Sequence, residues 1–159
     1  MLTIGLVGVL MTFGCASDGE TRMDLTISTA KAIAQTGEME VVKALPSAEV
    51  VGIDQVEMGS LVSCRGARNY RWAGAATAAL VADSDPLRVI SGLFASYRER
   101  EGWSASLEST AAGEPRLFLK GPEGEWLIVD GLSDPARIDM SSLSPCFHLP
   151  DGQSPNGFF

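Results

Sequence analysis

Between Asp85 and Leu132 an amphipathic helix is followed at once by three short apolar strands, and this restricts the possible folds more than any other part of the chain. Asp85 suits an N-cap. Pro86 fits the first helical position, where no amide donor is needed, and Gly102 stands where a left-handed residue would close the helix. Leu87, Ile90, Leu93, Phe94 and Tyr97 recur at three- and four-residue spacing and share one face, while Arg88, Ser91, Ser96 and the run Arg98 to Glu101 occupy the other. Burying that apolar stripe contributes on the order of 8 to 12 kcal/mol before ordering entropy is subtracted. The helix must therefore lie on something.

The following residues supply the surface. Trp103, Ala105 and Leu107 alternate with Ser104, Ser106 and Glu108, the two-residue period of a strand with one buried face. Leu117 to Leu119 and Trp126 to Val129 are apolar runs joined through Gly121-Pro122-Glu123-Gly124, whose composition predicts a hairpin connection and hence antiparallel pairing.

The flanks extend this pattern. Thr21 with Asp24 resembles a capping box and opens a helical stretch that reaches Pro46, with Leu25, Thr29, Ala32 and Ile33 on one face. Gly37 is expected to break or cap it, and Met39, Val42 and Leu45 mark a second short helical run. Val50, Val51 and Ile53, then Leu61 to Cys64, then Tyr70 to Val81 read as strands, with Gly59-Ser60 as a turn. Arg137 to Met140 alternates like an edge strand, and Leu149 to Phe159 reads as a loose tail. The expected fold is α+β: an antiparallel sheet of four to five strands, with the central helix on one face and the N-terminal helix packed nearby.

At 159 residues the chain holds one domain, expected over residues 21–148, and it can bury a core without a structural metal. Its net charge of −8 argues against a nucleic-acid partner. Basic residues nonetheless outnumber acidic ones between residues 65 and 102, where every base is an arginine.

The N-terminus predicts a compartment. Leu2 to Phe13 is uncharged and rich in Leu, Ile, Val and Gly, too short to span a bilayer but suited to a signal-peptide core. It ends at Gly14-Cys15, followed by the polar Ala16 to Glu20. A small residue before a cysteine at such a border resembles the lipobox of bacterial lipoproteins, in which the cysteine is lipidated and becomes the first mature residue. Two departures stand out: Thr12 three residues before the cysteine, where a leucine is usual, with Phe13 after it, and no Lys or Arg ahead of the apolar run. A start assigned too far downstream would account for the second. On this reading residues 1–14 are a signal peptide, Cys15 carries lipid, residues 15–20 form a tether, and acyl chains hold the protein to the membrane at about 0.8 kcal/mol per buried methylene.

With Cys15 assigned to lipid, Cys64 and Cys146 remain as an even pair in an exported chain and read as a disulfide, the alternatives being two buried thiols or one reactive thiol. The order of a lipobox-like cysteine, an N-terminal helix, Leu45-Pro46, Ser63-Cys64, Tyr70-Arg71-Trp72, Gly102-Trp103 and Ser144-Pro145-Cys146-Phe147 resembles small secreted lipoproteins of actinobacteria, of the mycobacterial and streptomycete type, largely without assigned function. The resemblance implies the Cys64–Cys146 bridge and attachment to the outer face of the plasma membrane. It implies no reaction.

No catalytic constellation is visible. His148 is the single histidine, and no Gly-x-Ser-x-Gly elbow accompanies it. Neither a metal-ligand spacing nor a phosphate-cradling loop occurs, so no catalytic residue, metal or cofactor is expected. Two features suit binding. Arg65, Arg68 and Arg71, interleaved with Asn69, Tyr70 and Trp72, could fork onto phosphate oxygens of headgroups or of an anionic wall polymer; solvated loop arginines are the plainer reading. Trp72, Phe94, Trp103, Phe118 and Trp126 could line a pocket between helix and sheet, or simply pack the core. The expectation is a monomeric, membrane-anchored envelope lipoprotein that binds a ligand or a protein partner without catalysis, the alternative being a small envelope hydrolase.

Overall fold

The computed structural model describes residues 21–159. The signal peptide, the lipidated Cys15 and the tether expected from the sequence all lie outside the described residues.

Helix α1 (Ile27–Ala44) is capped by Thr26, whose hydroxyl accepts from the amide of Thr29. It buries Ala30, Ala34, Gly37, Glu38, Val41 and Val42, one stripe at helical spacing. The expected start at Thr21 and the break at Gly37 are both corrected: the helix runs through Gly37 without interruption. Thr29 and Ala32, expected on the inner face, are exposed. Small residues on the inner face let the helix lie close to the sheet, and Glu38 among them masks the apolar period.

Eight strands follow: β1 (Val50–Gln55), β2 (Ser60–Ser63), β3 (Asn69–Leu80), β4 (Ser104–Ser109), β5 (Pro115–Lys120), β6 (Trp126–Ser133), β7 (Ala136–Leu143) and β8 (Phe147–His148), with α2 (Pro86–Tyr97) between β3 and β4. They form one antiparallel sheet in the order β1-β3-β7-β6-β5-β4. The α+β class and antiparallel pairing are as the sequence indicates, but the strand number is eight, not four to five. The surplus comes from β3, twelve residues long, which takes β1 and β2 along one edge and β7 and β8 along the other. The Arg137–Met140 segment, expected at an edge, belongs to β7 in the middle of the sheet. Its polar residues face outward in pairs, since Arg137 binds Asp139 at 3.1 Å and Thr77 donates to Asp139 at 2.9 Å.

Asp85 caps α2 by accepting from the amides of Leu87 and Arg88, and Pro86 opens it. Val89, Ile90, Leu93 and Tyr97 are buried, whereas Leu87 and Phe94 sit at the margin. Both helices cover the same face of the sheet, because Val41, Val42 and Leu45 of α1 share a single core with the α2 stripe and with Leu117, Leu127, Val129, Ile138 and Met140. A smaller core of Leu25, Ala30, Ala34, Trp72, Phe147 and Leu149 closes the other end. No described helix is long and apolar enough to cross a membrane.

The stretch 149–159, expected as a loose tail, contains no strand or helix and is nevertheless held at both ends. Leu149 is fully buried, and Phe159 exchanges two main-chain hydrogen bonds with Gly59 at 2.9 and 3.0 Å. The Trp72 indole N–H donates to the Phe159 carbonyl at 3.0 Å. Trp72 therefore joins sheet, tail and α1 at one point.

Gly59 is confined by this junction: a Cβ there would lie 2.0 Å from the Ala73 carbonyl oxygen and 2.6 Å from the Trp72 ring. Gly59→Ala is expected to lower stability by about 3 kcal/mol, the scale of forced overpacking. Gly92, on the exposed side of α2 with open space around it, gives the opposite sign, and Gly92→Ala should add about 0.5 to 1 kcal/mol. Urea unfolding followed by tryptophan fluorescence checks both.

Candidate functional site

The Cys64–Cys146 bridge is formed, with its Cα atoms 6.2 Å apart and its ends separated by 82 positions in sequence. It fastens the end of β2 to the segment that leads into β8. On the Cys146 side, the first described residues run alongside: Arg22 makes a parallel bridge to Phe147, and its amide donates to the Cys146 carbonyl at 2.8 Å.

The arginine trio does not act as one patch. Arg68 adopts a left-handed backbone, φ 57°. Its guanidinium is used internally, on the carbonyls of Leu149 and Gln153 at 3.0 Å each, on that of Pro150, and on Asp151 at 3.3 Å. It clamps the C-terminal stretch. Arg65 is exposed on the turn before β3, where its carbonyl accepts from Asn69. Arg71 alone faces a concavity, and its Nε donates to Cys146 Sγ at 3.1 Å.

That concavity is a cleft of about 590 Å³ between the segment Thr21–Asp24 and the β5–β6 turn, with Pro145 and Cys146 beside it. Arg22, Arg71 and Lys120 contribute cations to it. Arg22 is occupied by Asp24 at 2.9 Å and Glu123 at 3.3 Å, and the guanidinium holds the Asp24 carboxyl below the usual carboxylate range. Among the described residues, Arg71 and Lys120 meet no carboxylate; the Lys120 ammonium sits 5.5 Å from the centre of the Trp126 ring. Two unneutralised cations from different strands thus line one cleft, in a protein whose net charge is −8.

The aromatic set does not make a common pocket. Trp72 is fully buried, and Phe94 packs at the margin of the larger core. Phe118 and Trp126 alternate in register with the buried Leu117, Leu119 and Leu127 and so point to the face away from the helices. Trp103 packs edge-on against Tyr97, 4.8 Å between ring centres, and lines a second, smaller depression beside α1. His148 Nδ1 lies 3.1 Å from Asn69 Oδ1, its one side-chain partner among the described residues. Among those residues no group of three or more His, Cys, Asp or Glu side chains comes together as a metal site would.

Two residues of consequence, Lys120 and Glu38, were not singled out from the sequence. Lys120 reaches the cleft only through the β5–β6 hairpin, far from Arg71 along the chain, and nothing local in sequence links them. Glu38 is fully buried, accepting from the Ser142 hydroxyl at 2.5 Å and from the Gln55 amide at 2.7 Å. Burial pushes its pKa up against the effect of those two hydrogen bonds. Its spacing from Ala34 and Val42, four residues either way, was the available signal. Glu125 is 4 % exposed, and burial raises its pKa as well.

Comparisons with protein families, with curated proteins and with solved structures return no match to this chain.

Proposed function

We propose that the protein is an extracytoplasmic lipoprotein, anchored through Cys15 to the outer face of the plasma membrane, that binds a phosphate-bearing envelope ligand without catalysing a reaction on it. The observation that carries this reading is the cleft in which Arg71 and Lys120 lie without a carboxylate partner, walled by the first residues after the tether. Guanidinium and ammonium groups in a recess engage phosphate oxygens through charge-assisted hydrogen bonds. Residues 15–20, fully extended, span roughly 20 Å, so a chain lipidated at Cys15 holds the cleft near the headgroup layer. The small lipoproteins of actinobacteria that the sequence resembles fit the same placement.

Two measurements test the reading. Intact mass of protein purified from its membrane reports the acyl chains on Cys15. Titration of the full chain with glycerol 1-phosphate, followed by amide chemical shifts, should give saturable changes centred on Arg71, Lys120 and Gly121. Arg71→Gln combined with Lys120→Gln should weaken binding by about tenfold or more, as expected for loss of charge-assisted hydrogen bonds, while Arg65→Gln should leave it unchanged. Equal weakening by Arg65→Gln, or no saturation in the parent protein, rules the cleft out. An unmodified Cys15 removes the anchor.

A further inference from the structure

The large apolar side chains left open to solvent gather along one edge of the sheet. Val51, Ile53, Val56 and Met58, on β1 and the turn after it, are between 41 and 64 % exposed, and Val62 of the neighbouring β2 adds to them. The opposite edge, β4, exposes Leu107 as its one large apolar side chain. The first four leave on the order of 350 Å² of side chain open, the size at which an apolar patch marks an interaction surface.

The main chain at this edge is open as well. No strand lies beyond β1 in the sheet order, and its outer side meets no main-chain partner among the described residues. The Val56 amide donates to the Ala75 carbonyl at 2.9 Å, so antiparallel alternation turns Gly52 and Asp54 toward β3 and the donors and acceptors of Ile53 and Gln55 outward. Natural edges are blunted by lysine, proline or a bulge. In β1 the bulge lies between Val50 and Gly52, short of the outward pair, and Asp54 is the only charge. What fits such an edge is another extended strand.

We propose that the strand is β1 of a second copy, paired antiparallel about Ile53 so that the two sheets become one. The register follows from the side chains. Pairing about Ile53 sets Ile53 against its own copy and Asp54 opposite Gly52, whereas pairing about Asp54 sets carboxylate against carboxylate, and pairing about Gln55 sets Ile53 opposite Glu57. Doubled, and with the main chain of both strands, the apolar patch reaches the roughly 1,000 Å² total at which specific interfaces begin. The two-fold axis of such a pair stands normal to the sheet. Arg71 and Lys120 alternate with the buried Trp72 and Leu119, so their cleft, with residue 21 beside it, opens on the face away from the helices. Both copies therefore present their cleft and their leading residue on the same side, as two chains held to one membrane require. The pairing itself does not depend on the anchor or on the cleft, and either reading can fail without the other.

Sedimentation equilibrium of the purified full chain in detergent tests the proposal. The mass is expected to rise from one chain toward two as concentration increases. Ile53→Lys, at a half-exposed position outside the core, should weaken association by about tenfold or more, because it sets like charges opposite each other at the centre of the pair. Leu107→Lys, on the far edge, should leave it unchanged. Ile53→Cys, oxidised mildly, should yield a peptide joined to its own copy at residue 53, since Cα atoms in a hydrogen-bonded pair stand about 5.5 Å apart, within reach of a disulfide. Leu107→Cys should yield no such product. A single-chain mass at every concentration, association that persists in Ile53→Lys or falls equally in Leu107→Lys, or equal joining at residue 107 overturns the proposal.

Discussion

Replacing both Cys64 and Cys146 with serine is expected to lower the stability of the folded domain by about 4 to 5 kcal/mol. The bridge spans 82 residues of sequence and encloses β3, α2 and the strands β4 to β7. Most of its effect on a chain-entropy account lies in the unfolded ensemble, which loses freedom in proportion to the logarithm of that loop. For a domain of this size the change corresponds to a fall of roughly 10 to 20 °C in Tm. The denaturant slope should rise at the same time, because an unbridged chain opens further when it unfolds. Removing both sulfurs together is the clean comparison, since a single substitution leaves a free thiol beside Arg71. Thermal and urea unfolding of the double variant beside the parent check the prediction; a loss under about 1 kcal/mol would place the stabilisation elsewhere.

The second large effect concerns Glu38. Its carboxyl joins α1 to β7 through Ser142 and to β1 through Gln55, with no cation among the described residues paired to it. Burial holds its folded pKa above the ordinary value. The folded state then binds a proton that the unfolded chain has already released, so stability falls as pH rises from the ordinary carboxylate pKa through the raised folded value, and levels off above it. Glu125 contributes with the same sign. Asp24, Glu40 and Glu49 are lowered by their arginines and act at more acid pH, below the ordinary carboxylate range. Glu38→Gln keeps both hydrogen bonds, one as acceptor from Gln55 and one as donor to Ser142, and removes the charge. It should be more stable than the parent above neutrality and show a flatter dependence on pH. Glu38→Ala leaves the Ser142 hydroxyl without its acceptor, leaves Gln55 only the Gln35 carbonyl, and opens a cavity, costing about 3 kcal/mol at acid pH and less as pH rises, because the variant has no carboxyl to titrate. Urea midpoints between pH 4 and 9 distinguish the two variants. A Gln variant that follows the parent curve throughout would show that Glu38 does not titrate in this range.

What could be read from the sequence was what repeats locally. Helix α2 carries its cap, its proline and its apolar stripe within a dozen residues, and it forms where the pattern puts it. The β5–β6 hairpin follows from one Gly-Pro turn between two apolar runs. In α1 the inner face contains Ala30, Ala34, Gly37 and Glu38, residues that ordinarily mark nothing buried; their presence there depends on how closely the helix approaches Trp72 and Glu125. The place of β7 in the sheet was hidden for a similar reason. Its outward charges resemble those of a solvent edge, and only the paired strands on either side show that Arg137 and Asp139 satisfy each other on the open face.

The candidate sites were legible only in part. Arg71 was visible within an arginine run, but no local pattern separates it from Arg68, whose side chain is taken up by the C-terminal carbonyls. Its counterpart Lys120 comes from the other half of the chain. The grouping of aromatic residues failed because alternation along β5 and β6 sends Phe118 and Trp126 to the face opposite the helices. Contacts that depend on long-range pairing leave no trace at short spacing.

The seam where Arg22 joins Cys146 and Phe147 has a mechanical meaning. Tension applied to the chain at residue 21 meets the Cys146 carbonyl first and passes across the sulfur bridge to Cys64 and through Phe147 to Tyr70, reaching the long third strand before it reaches the leading helix. Tension arriving at residue 21 is thus borne by a covalent rivet and the keel of the sheet, and the helix behind it is spared the strain.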